Sequence, residues 1–356
     1  MIGAGSFGTA VAVLLVRAGV RTTLLCRTRE QAEELGAARE NKRYLSGVEL
    51  PERLKIRVLG GFEEQFRRTD LIFVAVPSAG LSAALEELVR QGVSPRAGIV
   101  SLAKGLVPPD GTPPTLALEA QFGPERVACV GGPAHAREMV EGGAGLVCAS
   151  HSPELAERVA EIFREARVVC EASSDPVGVE LAGSAKNAAA LAAGATEGQG
   201  LNAAGMAAAD IFTEVLALAR SRGARSSTFV GRAGVGDLVA TALAPSSRNR
   251  SAGELLAQGV PAAEIPGRLG QAVESLETVP LLAHAIESAG IQAPIVSALA
   301  RLIDGSLPLA DWVALVRVSQ PEPEKPLGRF TSWWRRMQAR WRRAPAGPPA
   351  LPPGPR

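Results

Sequence analysis

Lys186 stands in the stretch LAGSAKNAAALAAG, where its neighbours are Gly, Ala and Ser, with apolar residues a turn away on both sides. Lysine changes its pKa readily when partly buried, and can then donate a proton to a carbonyl oxygen or remove one in reverse. Lys104 follows a strand-like run in SLAKGL, where a cation can meet an anionic ligand. Gly231, Gly234 and Gly236 lead to Asp237, and Ser246-Ser247-Arg248-Asn249-Arg250 leads into a helical pattern at Ser251. Hydroxyls, an amide and guanidinium forks at a helix start suit a phosphate or carboxylate. At the amino terminus Gly3, Gly5 and Gly8 spell G-x-G-x-x-G before the helical text TAVAVLLVRAG. Glycines there allow a tight turn and close approach of a pyrophosphate to the helix start.

The elements that must carry these residues follow from periodicity. Short apolar runs at 21–26, 71–76, 98–102, 127–130, 145–149 and 167–170 alternate with helical patterns near 9–18, 29–40, 79–91, 114–122 and 153–165. Such alternation predicts an α/β fold, a doubly wound Rossmann-type parallel sheet. From 176 to about 318 the text is Ala-rich and helical, punctuated by Gly and Pro, which predicts an all-helical second domain. The predicted boundaries are a dinucleotide-binding domain at 1–174, a helical substrate and catalytic domain at 175–318, and a tail at 319–356. The first strand should precede Gly3, yet only Met1 and Ile2 stand there. The strand reads as truncated, and the expectation is a natural start upstream of Met1, which mass spectrometry of the natural protein's amino terminus would decide.

Composition narrows the function classes. Of 356 residues 46% are apolar and 21% charged, ample for a core. The four Cys (26, 129, 148, 170) and three His (135, 151, 284) are scattered, which argues against a metal centre or disulfide framework and favours a reducing, cytoplasmic setting. The net charge of +2 divides into +6 for residues 319–356 and −4 for the remainder, so the body does not read as a nucleic-acid binder. After the second strand, where an acid would bond a ribose 2′-hydroxyl, stand Arg27, Thr28 and Arg29. Paired arginines suit a 2′-phosphate, so NADP(H) is the expected cofactor, with NAD(H) as the alternative and no metal. In the tail, Phe330, Trp333, Trp334, Met337 and Trp341 fall on one helical stripe among six arginines. A basic amphipathic helix at 329–343, within an otherwise Pro-rich and mostly disordered tail, would contact a membrane surface weakly.

Taken together, GAGSFGTA, VAVPS, LAKGL, GGPAHARE, VELAGSAKNAAALAAG, EGQGLNAAG, FVGRAGVGDLVAT, SSRNRSAG and GQAVES resemble, in order, the bacterial-type NAD(P)-dependent glycerol-3-phosphate dehydrogenases. The resemblance spans about residues 1–317. It implies reversible reduction of dihydroxyacetone phosphate to sn-glycerol 3-phosphate, the backbone of glycerophospholipids. It further implies that Lys186 is the proton donor and acceptor. Lys104, Gly132, Asp237, Ser247, Arg248 and Asn249 would surround the substrate. Gly3, Gly5, Ser6, Phe7, Gly8, Arg27, Lys104, Ala136, Arg248, Ala272 and Glu274 would contact the cofactor. The chain departs from the family at Ala134, which lacks the usual hydroxyl and should raise the substrate KM, and at His135, which replaces an aromatic. A homodimer through the helical domain is a further expectation. The competing readings are an NADP(H)-binding sensor without turnover and a related hydroxyacid dehydrogenase.

Overall fold

The computed structural model describes residues 1–60, 63–244 and 247–319. Among the described residues nine strands form in chain order: β1 (Thr23–Cys26), β2 (Glu40–Asn41), β3 (Leu45–Glu49), β4 (Lys55–Val58), β5 (Leu71–Val74), β6 (Gly98–Ser101), β7 (Val127–Gly131), β8 (Gly145–Ser150) and β9 (Val169–Ser173). β5, β6, β7, β8 and β9 are neighbours in that order, and β1 pairs with β4. Ile2 bridges the two groups, pairing in parallel with both Leu25 and Val74. The residues that read as a truncated strand therefore hold the central position: Ile2 N–H donates to Phe73 O at 2.8 Å and Gly3 N–H to Leu25 O at 3.0 Å. β5, β6, β7 and β8 are nearly continuous in apolar residues and buried along almost their whole length, as strands covered on both faces are.

One pairing corrects the all-parallel expectation. β7 and β8 run antiparallel, with Gly131 opposite Val147 and Ala128 opposite Ser150. The chain leaves β7 and returns directly at the same end, where Gly145 N–H closes on Pro133 O at 3.2 Å, so no crossover to the far end is made. β8 and β9 are again parallel, joined through the helix Pro153–Glu165. The reversal places the start of β8 beside the carboxyl ends of β5, β6 and β7. A second feature absent from the pattern reading is the antiparallel hairpin of β2 and β3, separate from the main sheet.

Beyond β9 the described chain is helical. Pro176–Thr196 is buried along almost its whole length, and its only half-exposed position is Ala193. It is rich in Ala and Gly because other helices cross it at backbone distance. A Cβ on Gly194 would stand 2.1 Å from Arg250 O, and one on Gly253 would stand 2.1 Å from Leu191 O. Only glycine permits that approach of Pro176–Thr196 to Arg248–Ala257. The helix Leu201–Ser221 is long and apolar enough to cross a bilayer by length and composition, with mean hydropathy 1.3. It lies against Pro176–Thr196 and buries one face, with Ala204, Ala207, Ile211, Val215, Leu218 and Ala219, while Leu201 and Met206 on it are exposed. The tail and its 329–343 segment lie outside the described residues.

Candidate active site

The glycine turn sits between the Ile2 stub and the helix Ser6–Arg17. Gly3 has φ +99°, and a Cβ there would meet Ala75 O at 2.5 Å. A Cβ on Gly8 would meet Gly3 O at 2.1 Å. These two glycines are required by the tightness of the turn against β5. Gly5 differs: nothing lies within 4 Å of where its Cβ would stand. The turn is thus closed beneath and open above, and the N–H groups of Ser6, Phe7 and Gly8 have no intrahelical acceptor. An open seat facing free N–H groups fits the pyrophosphate of a dinucleotide. Arg27 lies exposed after β1, and Thr28 caps the helix Arg29–Ala38 by accepting from Gln31 N–H at 3.2 Å.

A second cluster forms where the long helix passes the sheet. Lys104 follows β6 by three residues, and its Nζ donates to Gly132 O, just after β7, at 3.1 Å. The same Nζ lies 3.1 Å from Asp237 Oδ2 and 5.5 Å from the centre of the Phe7 ring. Lys186 Nζ donates to Thr241 Oγ1 at 3.2 Å and lies 3.5 Å from Asp237 Oδ1. Asp237 and Thr241 are four residues apart on the helix Asp237–Leu243, so both face Lys186. One buried carboxylate therefore bridges two ammonium groups, one from each part of the sequence.

The electrostatics follow from burial and charge. Burial pushes the Lys186 ammonium below the usual lysine range; Lys104 adds to that effect, and Asp237 opposes it. Burial works to raise the Asp237 carboxyl, but the two lysines outweigh it and hold that carboxyl below the ordinary value. Lys186 is thus an ammonium whose proton is more easily given up than a solvated lysine's, held in place by an anion that stays charged.

Asn187 joins the remaining segments. Its Nδ2 donates to Lys104 O at 3.1 Å and to Glu274 Oε2 at 3.3 Å, and its Oδ1 accepts from Asn249 Nδ2 at 2.8 Å. Asn249 Oδ1 in turn accepts from Ser275 N–H at 3.3 Å. Arg248 donates to Gln271 Oε1 at 3.0 Å and Ala272 O at 3.4 Å, and Ser247 caps the helix that starts at Arg248. The structure brings together Lys104, Gly132, Lys186 and Asp237 directly, and Asn249 and Glu274 through Asn187. Arg27 and Ala136 bond to none of these. Thr241, Asn187 and Gln271 were not singled out from sequence. Thr241 could have been found as the residue one turn after Asp237, and Asn187 as the partner in an isolated Lys-Asn pair. Ser246 lies outside the described residues. No group of three His, Cys, Asp or Glu suited to a metal occurs among the described residues.

Comparison with known proteins gives the family of the chain. Residues 1–156 match the family model for the NAD-dependent glycerol-3-phosphate dehydrogenase N-terminus, and residues 175–314 match that for its C-terminus. The chain is 38% identical over 318 residues to a glycerol-3-phosphate dehydrogenase (NAD(P)+) of Deinococcus radiodurans, covering 88% of this chain and 92% of the relative. It is 35% identical over 332 residues to one of Chlorobium limicola, covering 91% and 98%. Among solved structures, the glycerol-3-phosphate dehydrogenase of Coxiella burnetii superposes with a TM-score of 0.82 at 28% identity, covering 89% of this chain and 98% of that one. By the glycine turn, the paired lysines and the match of both halves, the chain belongs to the NAD-dependent glycerol-3-phosphate dehydrogenase family.

Proposed function

We propose that Lys186 is the proton donor and acceptor in the reversible reduction of dihydroxyacetone phosphate to sn-glycerol 3-phosphate. A nicotinamide dinucleotide supplies the hydride when bound. The rest falls to this chain. As the ketone becomes an alcohol, its oxygen needs a proton, and the Lys186 ammonium, depressed by burial and oriented by Thr241 and Asp237, gives it. In reverse the neutral amine takes the proton back. The observation that carries this reading is the buried Lys186 Nζ held 3.2 Å from Thr241 Oγ1 and 3.5 Å from Asp237 Oδ1. Lys104, Gly132, Asp237, Ser247, Arg248 and Asn249 surround the substrate, with the Arg248 guanidinium suited to its phosphate. Gly3, Gly5, Ser6, Phe7, Gly8, Arg27, Lys104 and Ala136 contact the dinucleotide, and Arg248, Ala272 and Glu274 close over it. The test is the absorbance of reduced nicotinamide with dihydroxyacetone phosphate, in wild type and Lys186→Ala. Turnover lost in the variant supports the reading. Undiminished turnover in Lys186→Ala removes Lys186 from the role, and binding of the dinucleotide without turnover in wild type favours a sensor.

The finer assignments belong to the same proposal. Residues 1–174 bind the dinucleotide and 175–318 the substrate. The exposed Arg27 and Arg29 favour NADPH; Arg27→Ala should raise the KM for NADPH and leave that for NADH nearly unchanged, and an equal change in both would refute it. The enzyme acts in the cytoplasm as a homodimer and feeds glycerophospholipid synthesis; sedimentation equilibrium tests the dimer, and a monomer mass at assay concentrations refutes it. The 329–343 segment gives weak membrane contact, tested by co-sedimentation with anionic vesicles, where equal pelleting after removal of 321–356 argues against it.

A further inference from the structure

The β2–β3 hairpin is too small to be stable alone, so its place in the fold depends on what it is tied to. Arg39, with φ 48°, ends the preceding helix and turns the chain into it. Leu45 and Val48 are buried against the core beside Met1 and Ala4. Asn41 is 2% exposed, and an amide that deeply buried is costly unless its hydrogens are paired. Its Nδ2 donates to Ala4 O at 3.0 Å and to Thr9 Oγ1 at 2.8 Å. Ala4 lies between the first two glycines of G-x-G-x-x-G, and Thr9 follows the third. One side chain from outside the motif therefore ties both ends of the turn together from beneath. On its other side the hairpin is held by the Arg137 guanidinium, which donates to Ser46 O from the residue after Ala136.

The peptide geometry gives this contact a consequence above the turn. In a trans peptide the C=O and N–H point in opposite directions. Anchoring Ala4 O inward on Asn41, the nearer of its two side-chain donors (Gln31 Nε2 reaches it at 3.5 Å), turns the Gly5 N–H the opposite way, and that N–H has no acceptor among the described residues. Gly5 itself leaves room for a ligand, since a Cβ there would meet nothing within 4 Å. We propose that Asn41 is a positioning residue for the dinucleotide: its amide fixes the Ala4–Gly5 peptide so that the Gly5 N–H is aimed at the pyrophosphate. This rests on the reading of the turn as a dinucleotide site.

The test compares wild type, Asn41→Ala and Asn41→Asp by NADPH fluorescence titration, steady-state kinetics and thermal melting of the unliganded protein. Asn41→Ala should raise the Kd and KM for NADPH about tenfold or more, since a donor to an anion is no longer aimed. At saturating NADPH, kcat and the KM for dihydroxyacetone phosphate should stay within about threefold of wild type, because the lysine cluster is untouched. Asn41→Asp keeps the shape but faces Ala4 O with an acceptor; its NADPH affinity relative to wild type should recover as pH falls and protonation returns an O–H donor. A lowered melting temperature with unchanged NADPH affinity in both variants overturns the proposal. Should Asn41→Ala not fold, Thr9→Val and Asn41→Asp carry the test by the same readout. A wild type that binds neither NADPH nor NADH instead overturns the dinucleotide reading on which it rests.

Discussion

Asp237→Asn changes one oxygen to an amide in the carboxylate that bridges Lys104 and Lys186, leaving shape intact and removing the only carboxylate among the described residues within 4.0 Å of either ammonium. At 3.5 Å, with an effective dielectric near 20, the Asp237–Lys186 attraction is about 5 kcal/mol as an upper figure. Water entering the altered site would screen about half of it, leaving about 2–3 kcal/mol. The same loss strips Lys186 of the larger of the two charges that oppose burial and Lys104, leaving only the weaker pull of Glu274, so its ammonium becomes still harder to maintain. The sign is therefore definite. Ketone reduction needs Lys186 protonated, and its activity falls as pH rises through the lysine's titration; the variant brings that fall to lower pH. At neutral pH and saturating substrate, kcat should drop by up to about thirtyfold to a hundredfold at 1.4 kcal/mol per decade, and recover partly on acidification. The assay is kcat for dihydroxyacetone phosphate reduction across pH in both forms. A variant whose alkaline limb coincides with wild type would refute the argument that Asp237 keeps Lys186 charged, whatever the loss in rate.

Other expectations follow from single contacts. Glu180 is 4% exposed and accepts from Thr115 N–H at 3.0 Å and Thr115 Oγ1 at 2.6 Å, yet burial pushes its carboxyl up to about 8. Groups raised in the folded state favour it below their unfolded value and lose that contribution as pH rises, here between about 4.5 and 8. Glu180→Gln should flatten the decline of melting temperature across that window, and an unchanged slope would show that Glu180 does not titrate there. Gly8→Ala forces a Cβ to within 2.1 Å of Gly3 O, so a backbone shift costing about 1–3 kcal/mol and weaker NADPH binding are expected from calorimetry and titration; wild-type values for both would contradict the packing. Ala134→Ser restores a hydroxyl beside Gly132 and should lower the KM for dihydroxyacetone phosphate about two- to tenfold, with kcat little changed; an unchanged KM would mean that position 134 does not reach the substrate.

Much of the molecule was legible because its signals are local. A glycine turn, an apolar run and a helix repeat are each written within about a dozen residues, and their order along the chain is enough to name a doubly wound sheet followed by helices. Lys104 and Lys186 could be singled out because each is chemically out of place among its immediate neighbours. What stayed hidden depends on residues far apart in the chain. Lys104 meets Asp237 across 133 positions, Asn41 meets Ala4 across 37, and Glu180 meets Thr115 across 65. No periodicity records such meetings, so Asn187 as the common partner of three distant segments, and Asn41 beneath the phosphate turn, became visible only in the folded chain. The direction of β8 was hidden for the same reason: an apolar run states that a strand is buried, but which neighbour it pairs with, and in which sense, is settled by the path of the connection at 132–144 and by the packing of the whole sheet. Residue types along the chain thus specify which chemistry is available, and the charge state that makes Lys186 useful arises only when burial and the distant charges of Asp237, Lys104 and Glu274 act on it together.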